Sequence, residues 1–448
     1  PLDKRVVLIS THEKAEALIR FLGNDFINRI NLIILDEAHT VEYEGNDIAL
    51  RDSRSRSLKL ETLLNRFITR NLDKDFNIIA LSAVAPGIED DLARWVTRED
   101  DAKPITTPYR STRQLVGRLL CYPNRNVQIR YDLMDAQKLR VRGINADDSP
   151  YIPEPFPLYP ITDRFKDAGP EKKMRPHILW SAMNFASIDS SGFYHSVLIS
   201  VPQQPGGYAE DFIKLVEIDW AEDNLPDFFN EPRPGLQHIK WLKCRKSCDD
   251  YFGKKSREYR LLTHGIILHH GKMPGIMSRL LIELVQEKIV NIVIATSTLT
   301  EGINLPFETI IIPSLRRAGN YINLREFTNL IGRAGRPGFS LEGRSLVAMD
   351  PTSDTQGQYG TRQKYQNFIN EISEGSEVSL PKKGRGPLAN LLKYIEVKWF
   401  EISNDPQIDY FINWLETTIH DPSGETNDAA EALDTLDGLL IEALEEQE

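Results

Sequence analysis

Cysteine is nearly absent: Cys121, Cys244 and Cys248 are the three in 448 residues, too few for a disulfide framework. Cys244 and Cys248 have a metal-like separation, but no second pair follows, so reduced thiols are a simpler reading than a zinc site. No apolar run approaches the roughly 18 residues of a membrane span, and nothing at the N-terminus resembles a secretory leader. The expected setting is therefore cytoplasmic, with no membrane partner. A basic surplus is missing too. Lys and Arg number 54 against 65 Asp and Glu, a formal net charge of −11, which taken globally disfavours polyanionic partners. Much of the acidic surplus lies from Asp421 onward, where ten Asp and Glu stand with no Lys or Arg, so local basic faces carry more weight than the total.

Also lacking is any Gly-x-x-x-x-Gly-Lys-Ser/Thr loop, the backbone cradle for nucleotide phosphates. Gly253-Lys254-Lys255-Ser256 shares part of its wording, but no glycine stands five residues ahead and no apolar strand leads into it. Pro1 opens in mid-domain, so the expectation is a chain that begins downstream of such a loop, with genuine loss of the loop as the alternative.

What is present has the apolar and charged fractions of a globular protein, and its length suits about three domains. Short β-branched runs read as buried strands: Val6–Ile9, Leu32–Leu35, Ile78–Leu81, Val197–Val201, Gly265–Leu268, Ile292–Ala295, Thr309–Ile312 and Ser345–Ala348. Between them lie helical spacings: Ala17, Leu18, Phe21 and Leu22; Leu60, Leu63, Leu64, Phe67 and Ile68; and Ile276, Leu280, Leu281, Leu284 and Val285. Strands alternating with helices predict an α/β fold with mostly parallel sheets. Prolines 150, 153, 155, 157 and 160 mark Ser149–Pro160 as an extended connector. Trp220 to Ser256 follows no clear period. Its Lys240, Lys243, Arg245, Lys246, Lys254, Lys255 and Arg257 interleave with Trp241, Tyr251 and Phe252, which suits a single nucleic-acid strand or a solvated surface with a few packed rings.

Chemistry gathers at strand ends. Asp36 and Glu37 leave the carboxyl end of a buried strand, where charges need partners; Mg²⁺ held through Asp36, and a water oriented by Glu37 for attack on a γ-phosphate, would supply them. Thr296 and Ser297 end another strand, where open α/β sheets place ligands. Arg333 and Arg336 lie three apart in a Gly-punctuated helical segment, so their guanidinium forks can converge on a polyphosphate.

Asp36-Glu37-Ala38-His39, Thr296-Ser297-Thr298-Leu299-Thr300-Glu301-Gly302-Ile303-Asn304 and Gly332-Arg333-Ala334-Gly335-Arg336, in this order, resemble the motifs of superfamily 2 helicases. With His269-His270-Gly271, they look like the superkiller-like branch. The resemblance covers roughly 6–122 and 197–349. It implies two tandem RecA-like domains facing each other across an ATP cleft, plus a partial helical C-terminal region. The expected divisions are 1–122, a linker 123–176, a second domain 177–350 and a helical region 351–448.

By the same resemblance, ATP and Mg²⁺ are the cofactors. Glu301, Gly302, Asn304 and Asn329 line the nucleotide side, Asn329 standing where Gln is usual, and Arg333 and Arg336 act as arginine fingers. His39, Ser82 and Ala83 couple hydrolysis to movement, with Val84 replacing the usual Thr. Thr11, Glu13, His270, Gly271, Thr296 and Ser297 contact the bound strand, although Thr11 and Glu13 equally suit a helix N-cap. The implied activity is ATP-dependent translocation on nucleic acid, DNA before RNA, with three-prime to five-prime polarity. Bacterial members of the branch sit in anti-phage systems beside a nuclease. A non-catalytic nucleic-acid scaffold is the rival from another class.

Overall fold

In the computed structural model of the chain, most of the β-branched runs form strands, in one large sheet and one small one. Residues 6–36, 38–41, 56–70, 77–81, 93–94, 96–97, 101–105, 112–141, 149–201, 205–296, 305, 307–317, 319–335, 341–374 and 391 are described. Two compact units are present: residues 1–106 with 377–448, and residues 107–376.

In the first unit, β1 (Leu32–Leu35) and β2 (Asn77–Ala80) pair in parallel, with Ile33 opposite Ile78. Ile19 and Ile27 of α1 (His12–Ile27) meet Leu63 and Phe67 of α2 (Arg56–Arg70). Leu60 and Leu64 pack with Val41, Ile33 and Leu35, so α2 buries the face its spacing predicts.

Three sequence expectations need correcting here. Val6–Ile9 forms no strand and is exposed, Val6 to 82%. On α1, Phe21 is 84% exposed, while Ala15, Ile19, Phe26 and Ile27 turn inward. Gly23, at φ +56°, kinks the helix and resets the phase of its last turn. Finally, β1 and β2 alternate between exposed and half-buried positions; the helices cover one face, and Leu32, Ile34 and Ile79 are exposed.

The second unit is built on a nine-stranded sheet. Its parallel centre runs, in spatial order, β8 (Ile266–His269), β9 (Ile292–Thr296), β7 (Val197–Val201), β10 (Thr309–Ile312), β13 (Glu342–Met349) and β3 (Arg113–Cys121). The antiparallel β4 (Val127–Met134) follows β3 and carries the short β5 (Gln137–Lys138) and β6 (Tyr151–Ile152). A separate hairpin joins β11 (Arg316–Arg317) to β12 (Asn320–Tyr321).

Both faces of this sheet are covered. Ile292 and Ile294 of β9 point to one core, with α4 (Arg175–Ala186), which follows the single-turn α3 (Pro170–Lys173), and with α5 (Gly206–Lys214). Val293 and Ala295 point to the other, with α6 (Leu236–Phe252), α8 (Gly275–Gln286), α9 (Leu324–Ile331) and α10 (Gln356–Ser373). The short α7 (Arg257–Thr263) reaches both, through Leu261 and Leu262. Burial on both faces is why the parallel strands read as unbroken apolar runs. On α8, Leu280, Leu281, Leu284 and Val285 are buried as expected, but Ile276 is exposed and Met277 takes its place.

The boundary between units falls after Thr106, not at 122, because β3 is paired along its whole length with β13, Arg113 opposite Glu342 and Leu120 opposite Met349. The proline-rich connector is docked rather than a free spacer. Trp180 Nε1 donates to the Pro157 carbonyl at 2.6 Å, Trp220 Nε1 to that of Pro160 at 3.1 Å, and Tyr159 is buried. Nor does Asp350 end this unit. On α10, Phe368 and Ile369 enter the core, and the Tyr365 hydroxyl donates to Asp132 Oδ2 at 2.8 Å. The sequence from Leu388 to Leu444, read as helical, lies almost entirely outside the described residues.

Candidate functional site

In the first unit, Asp36 stands in the turn one residue past the end of β1 and is exposed. Leu81 N–H donates to the Leu35 carbonyl, and Ala38 N–H donates to the Leu81 carbonyl, both at 2.8 Å. The chain is thereby pinned on either side of Asp36 against the end of β2, and His39 follows in the 3-10 turn Ala38–Val41. An exposed carboxylate at the carboxyl end of a parallel strand suits Mg²⁺, which is held through one or two carboxylates and keeps several waters. Glu37, Ser82 and Ala83 lie outside the described residues. Thr11 is the N-cap of α1: its carbonyl accepts from Ala15 N–H at 2.9 Å, and its hydroxyl oxygen lies 3.4 Å from Lys14 N. Glu13 stands 3.0 Å from His12 Nε2. These contacts fit the capping alternative.

In the second unit, the described candidates separate onto opposite edges of the sheet. At the carboxyl edge, β8 and β9 are neighbours with His269 opposite Ala295, which brings His270 and Thr296 together just beyond. His270 Nε2 lies 3.3 Å from Glu258 Oε1, and its ring meets Phe252 edge-on. Behind it, His269 is enclosed in the core with Nε2 2.8 Å from Ser278 Oγ. Burial, with a smaller contribution from His270, pushes the His269 pKa down to about 4. Gly271 begins the turn into α8, and Ser297 lies outside the described residues.

At the amino edge stands the arginine segment. A capping box starts α9: Asn323 Oδ1 accepts from Glu326 N–H at 2.8 Å, and the Glu326 carboxylate accepts from Asn323 N–H at 3.1 Å. The helix carries Asn329, half-buried, and ends at Ile331. Arg333 is therefore in the turn beyond the helix rather than on it, which corrects its expected helical placement; Arg336 lies outside the described residues.

That turn is fixed from several sides. Ser345 Oγ donates to the Ile331 carbonyl at 3.2 Å. Ala334 bridges to Phe307, whose carbonyl accepts from Gly335 N–H at 2.8 Å. Gly335 has φ +70°, and a Cβ there would stand 2.6 Å from the Thr112 γ-methyl and 2.7 Å from the Gly343 backbone. Phe307 precedes β10, Gly343 begins β13 and Thr112 precedes β3, so all three mark the amino edge. Sequence reading missed Thr112, Gly343 and Ser345, since none carries chemistry of its own. Glu301, Gly302 and Asn304 lie outside the described residues.

Several of the basic and aromatic residues around α6 are taken up in packing and ion pairs. Trp241, Cys244 and Cys248 are buried in the core, and burial raises both thiols to about 12. Trp241 Nε1 donates to Glu231 at 3.0 Å; Lys240 pairs with Glu283 and Glu287, and Arg257 with Glu210. This favours the surface reading over a strand-binding one.

Comparison with known proteins gives the following similarities. Residues 223–338 match the family described as the helicase conserved C-terminal domain. Hachiman protein HamB of Bacillus cereus is 25% identical over 434 residues, covering 92% of this chain and 33% of HamB. DNA polymerase theta of Caenorhabditis elegans is 25% identical over 344 residues, 76% of this chain and 18% of that protein. ATP-dependent DNA helicase Hel308 of Thermoplasma acidophilum is 23% identical over 351 residues, 77% of this chain and 39% of the helicase. The chain thus spans about a third or less of the first two. Residues 223–338 are thus similar to a helicase domain, and the ordered motifs on a mostly parallel α/β sheet resemble those of superfamily 2 helicases.

Proposed function

We propose that the chain is the motor portion of an ATP-dependent translocase of the superkiller-like branch, acting on single-stranded or tailed DNA with three-prime to five-prime polarity. The observation that carries this reading is the division of the second unit's sheet. Thr296 and His270 stand at the carboxyl edge, suited to a strand's phosphates, while the clamped turn bearing Arg333 stands at the amino edge, suited to a nucleotide. One sheet that separates the two sets can link nucleotide state to grip on a strand.

In this reading Asp36 holds Mg²⁺, Glu37 orients the attacking water, and Arg333 and Arg336 receive charge developing on the phosphates, a contribution on the order of 10³–10⁵ in rate. Mg²⁺ held through Asp36 would supply positive charge beside the phosphates. Asn329, Glu301, Gly302 and Asn304 complete the nucleotide side, and His39, Ser82 and Ala83 relay its state. Ser297 and Gly271 join the strand contacts. DNA is preferred to RNA because two similar proteins are named for DNA. A role beside a nuclease in defence rests on the branch resemblance and on the similarity to Hachiman protein HamB over most of the chain.

The test is Glu37→Gln in the natural protein that contains this chain. Hydrolysis stimulated by single-stranded DNA should fall by about 10²–10⁴-fold, while ATP and strand are still bound. Equal turnover in variant and parent removes the motor assignment. Stronger stimulation by RNA reassigns the substrate, and no nucleotide binding at all favours a scaffold.

A further inference from the structure

Thr112 is the first described residue after the boundary at Thr106, so it stands where the chain coming from the first unit enters the second. It is buried. One residue on, Arg113 N–H donates to the Leu341 carbonyl at 3.0 Å, which starts the β3–β13 register. The same residue faces the arginine turn: a Cβ on Gly335 would lie 2.6 Å from its γ-methyl. Gly343 seals the opposite side, since a Cβ there would lie 2.3 Å from the Ala334 carbonyl. The turn Arg333–Gly335 is therefore closed between Thr112 and the first residues of β13. Close-packed interiors of this kind transmit displacement rather than absorb it.

We propose that Thr112 is a positioning residue for the turn bearing Arg333, its γ-methyl setting the place of Gly335 against the start of β13. The inference rests on the reading of Arg333 as a phosphate-binding group. It adds that Thr112 is a mechanical partner of that turn. A shift of Thr112 is passed to the turn, because Gly335 has no free space on that side. Hydrolysis rate is then sensitive to a methyl group that touches neither ATP nor DNA.

The experiment uses the natural protein with Thr112→Ser, which removes the γ-methyl and keeps the hydroxyl, and Thr112→Val, which keeps a γ-methyl and removes the hydroxyl. DNA-stimulated kcat, KM for ATP and the thermal midpoint are measured for each. Thr112→Ser should lower kcat by roughly tenfold, less than the ~100-fold of an ångström of misplacement, with KM within about twofold and the midpoint unchanged. Thr112→Val should keep kcat within about twofold of the parent. In an Arg333→Lys background, where the fork is already lost, Thr112→Ser should add nothing. Parental kcat in Thr112→Ser, or an equal loss in the Arg333→Lys background, overturns the proposal. If Arg333→Lys itself leaves kcat unchanged, the arginine reading and the proposal fall together, so the two failures are told apart.

Discussion

His269 ends β8 with its ring enclosed by apolar side chains and Nε2 on Ser278 Oγ, while Nδ1 has no hydrogen-bond partner among the described residues. A buried imidazole with one satisfied nitrogen is held neutral, and its pKa falls from 6.5 to about 4. Between those values the unfolded chain binds a proton that the folded chain refuses. The stability this residue contributes is thus complete above pH 6.5 and lost as pH falls toward 4. His195 works the other way. Held by Glu308 and Asp189, it has a raised pKa, and its contribution is lost as pH rises through that raised value. For His269 the check is a urea titration of parent and His269→Gln by tryptophan fluorescence at pH 7 and pH 4.5. The parent should lose on the order of 2 kcal/mol more than the variant across that interval. Equal losses would mean that the ring is not protected from protonation. The strand end that leads to His270 was legible from the apolar run before it, whereas Thr112, Gly343 and Ser345 matter only through what packs on them.

At the scale of elements, one polar cluster fixes the sheet extension to the last described helix. Asp132 of β4 receives Arg118 Nε at 2.9 Å, Ser149 Oγ at 2.9 Å and the Tyr365 hydroxyl at 2.8 Å. Removing one donor from a buried carboxylate costs more than an exposed hydrogen bond is worth, because the lost partner is not replaced by water. Tyr365→Phe, which keeps the ring against Phe327, should therefore destabilise by about 1–3 kcal/mol, while the same change in an Asp132→Asn background should cost clearly less. Additive losses in urea unfolding would show that the hydroxyl acts elsewhere.

This cluster also marks where the sequence stopped being informative. The central parallel strands were readable because burial on both faces writes an unbroken β-branched run. By contrast, α4 is apolar almost all round and lacks the polar stripe that signals a helix. On α6, Trp241, Cys244 and Cys248 do repeat at near-helical spacing, but the lysines between them drew the eye to charge. The pairing of β3 with β13, more than two hundred residues later, leaves no local trace. Of the candidate site, the strand-end residues were legible in place, while the position of Arg333 was not, since the helix before it ends at Ile331 and the turn is set by residues as distant in sequence as Thr112 and Phe307.

For the whole chain, the placement of β3 has the largest consequence. A division at residue 122 would strip from the second unit a strand that contributes Val116 and Leu120 to one core and Leu119 and Cys121 to the other. It would also bare the outer edge of β13 and leave β4 without its principal neighbour. Fully burying four side chains of this kind is worth roughly 1.5–3 kcal/mol for each larger aliphatic, comparable in sum with the net stability of a domain, about 5–15 kcal/mol. Two fragments test the boundary. Residues 107–376 should unfold cooperatively in urea, with protected amides in β7, β9 and β10, whereas residues 123–376 should aggregate or show no cooperative transition. If the shorter fragment is as stable as the longer one, β3 is an accessory strand and the unit begins where its prolines do. If the longer one also fails to fold, the second unit depends on residues outside 107–376 for its stability.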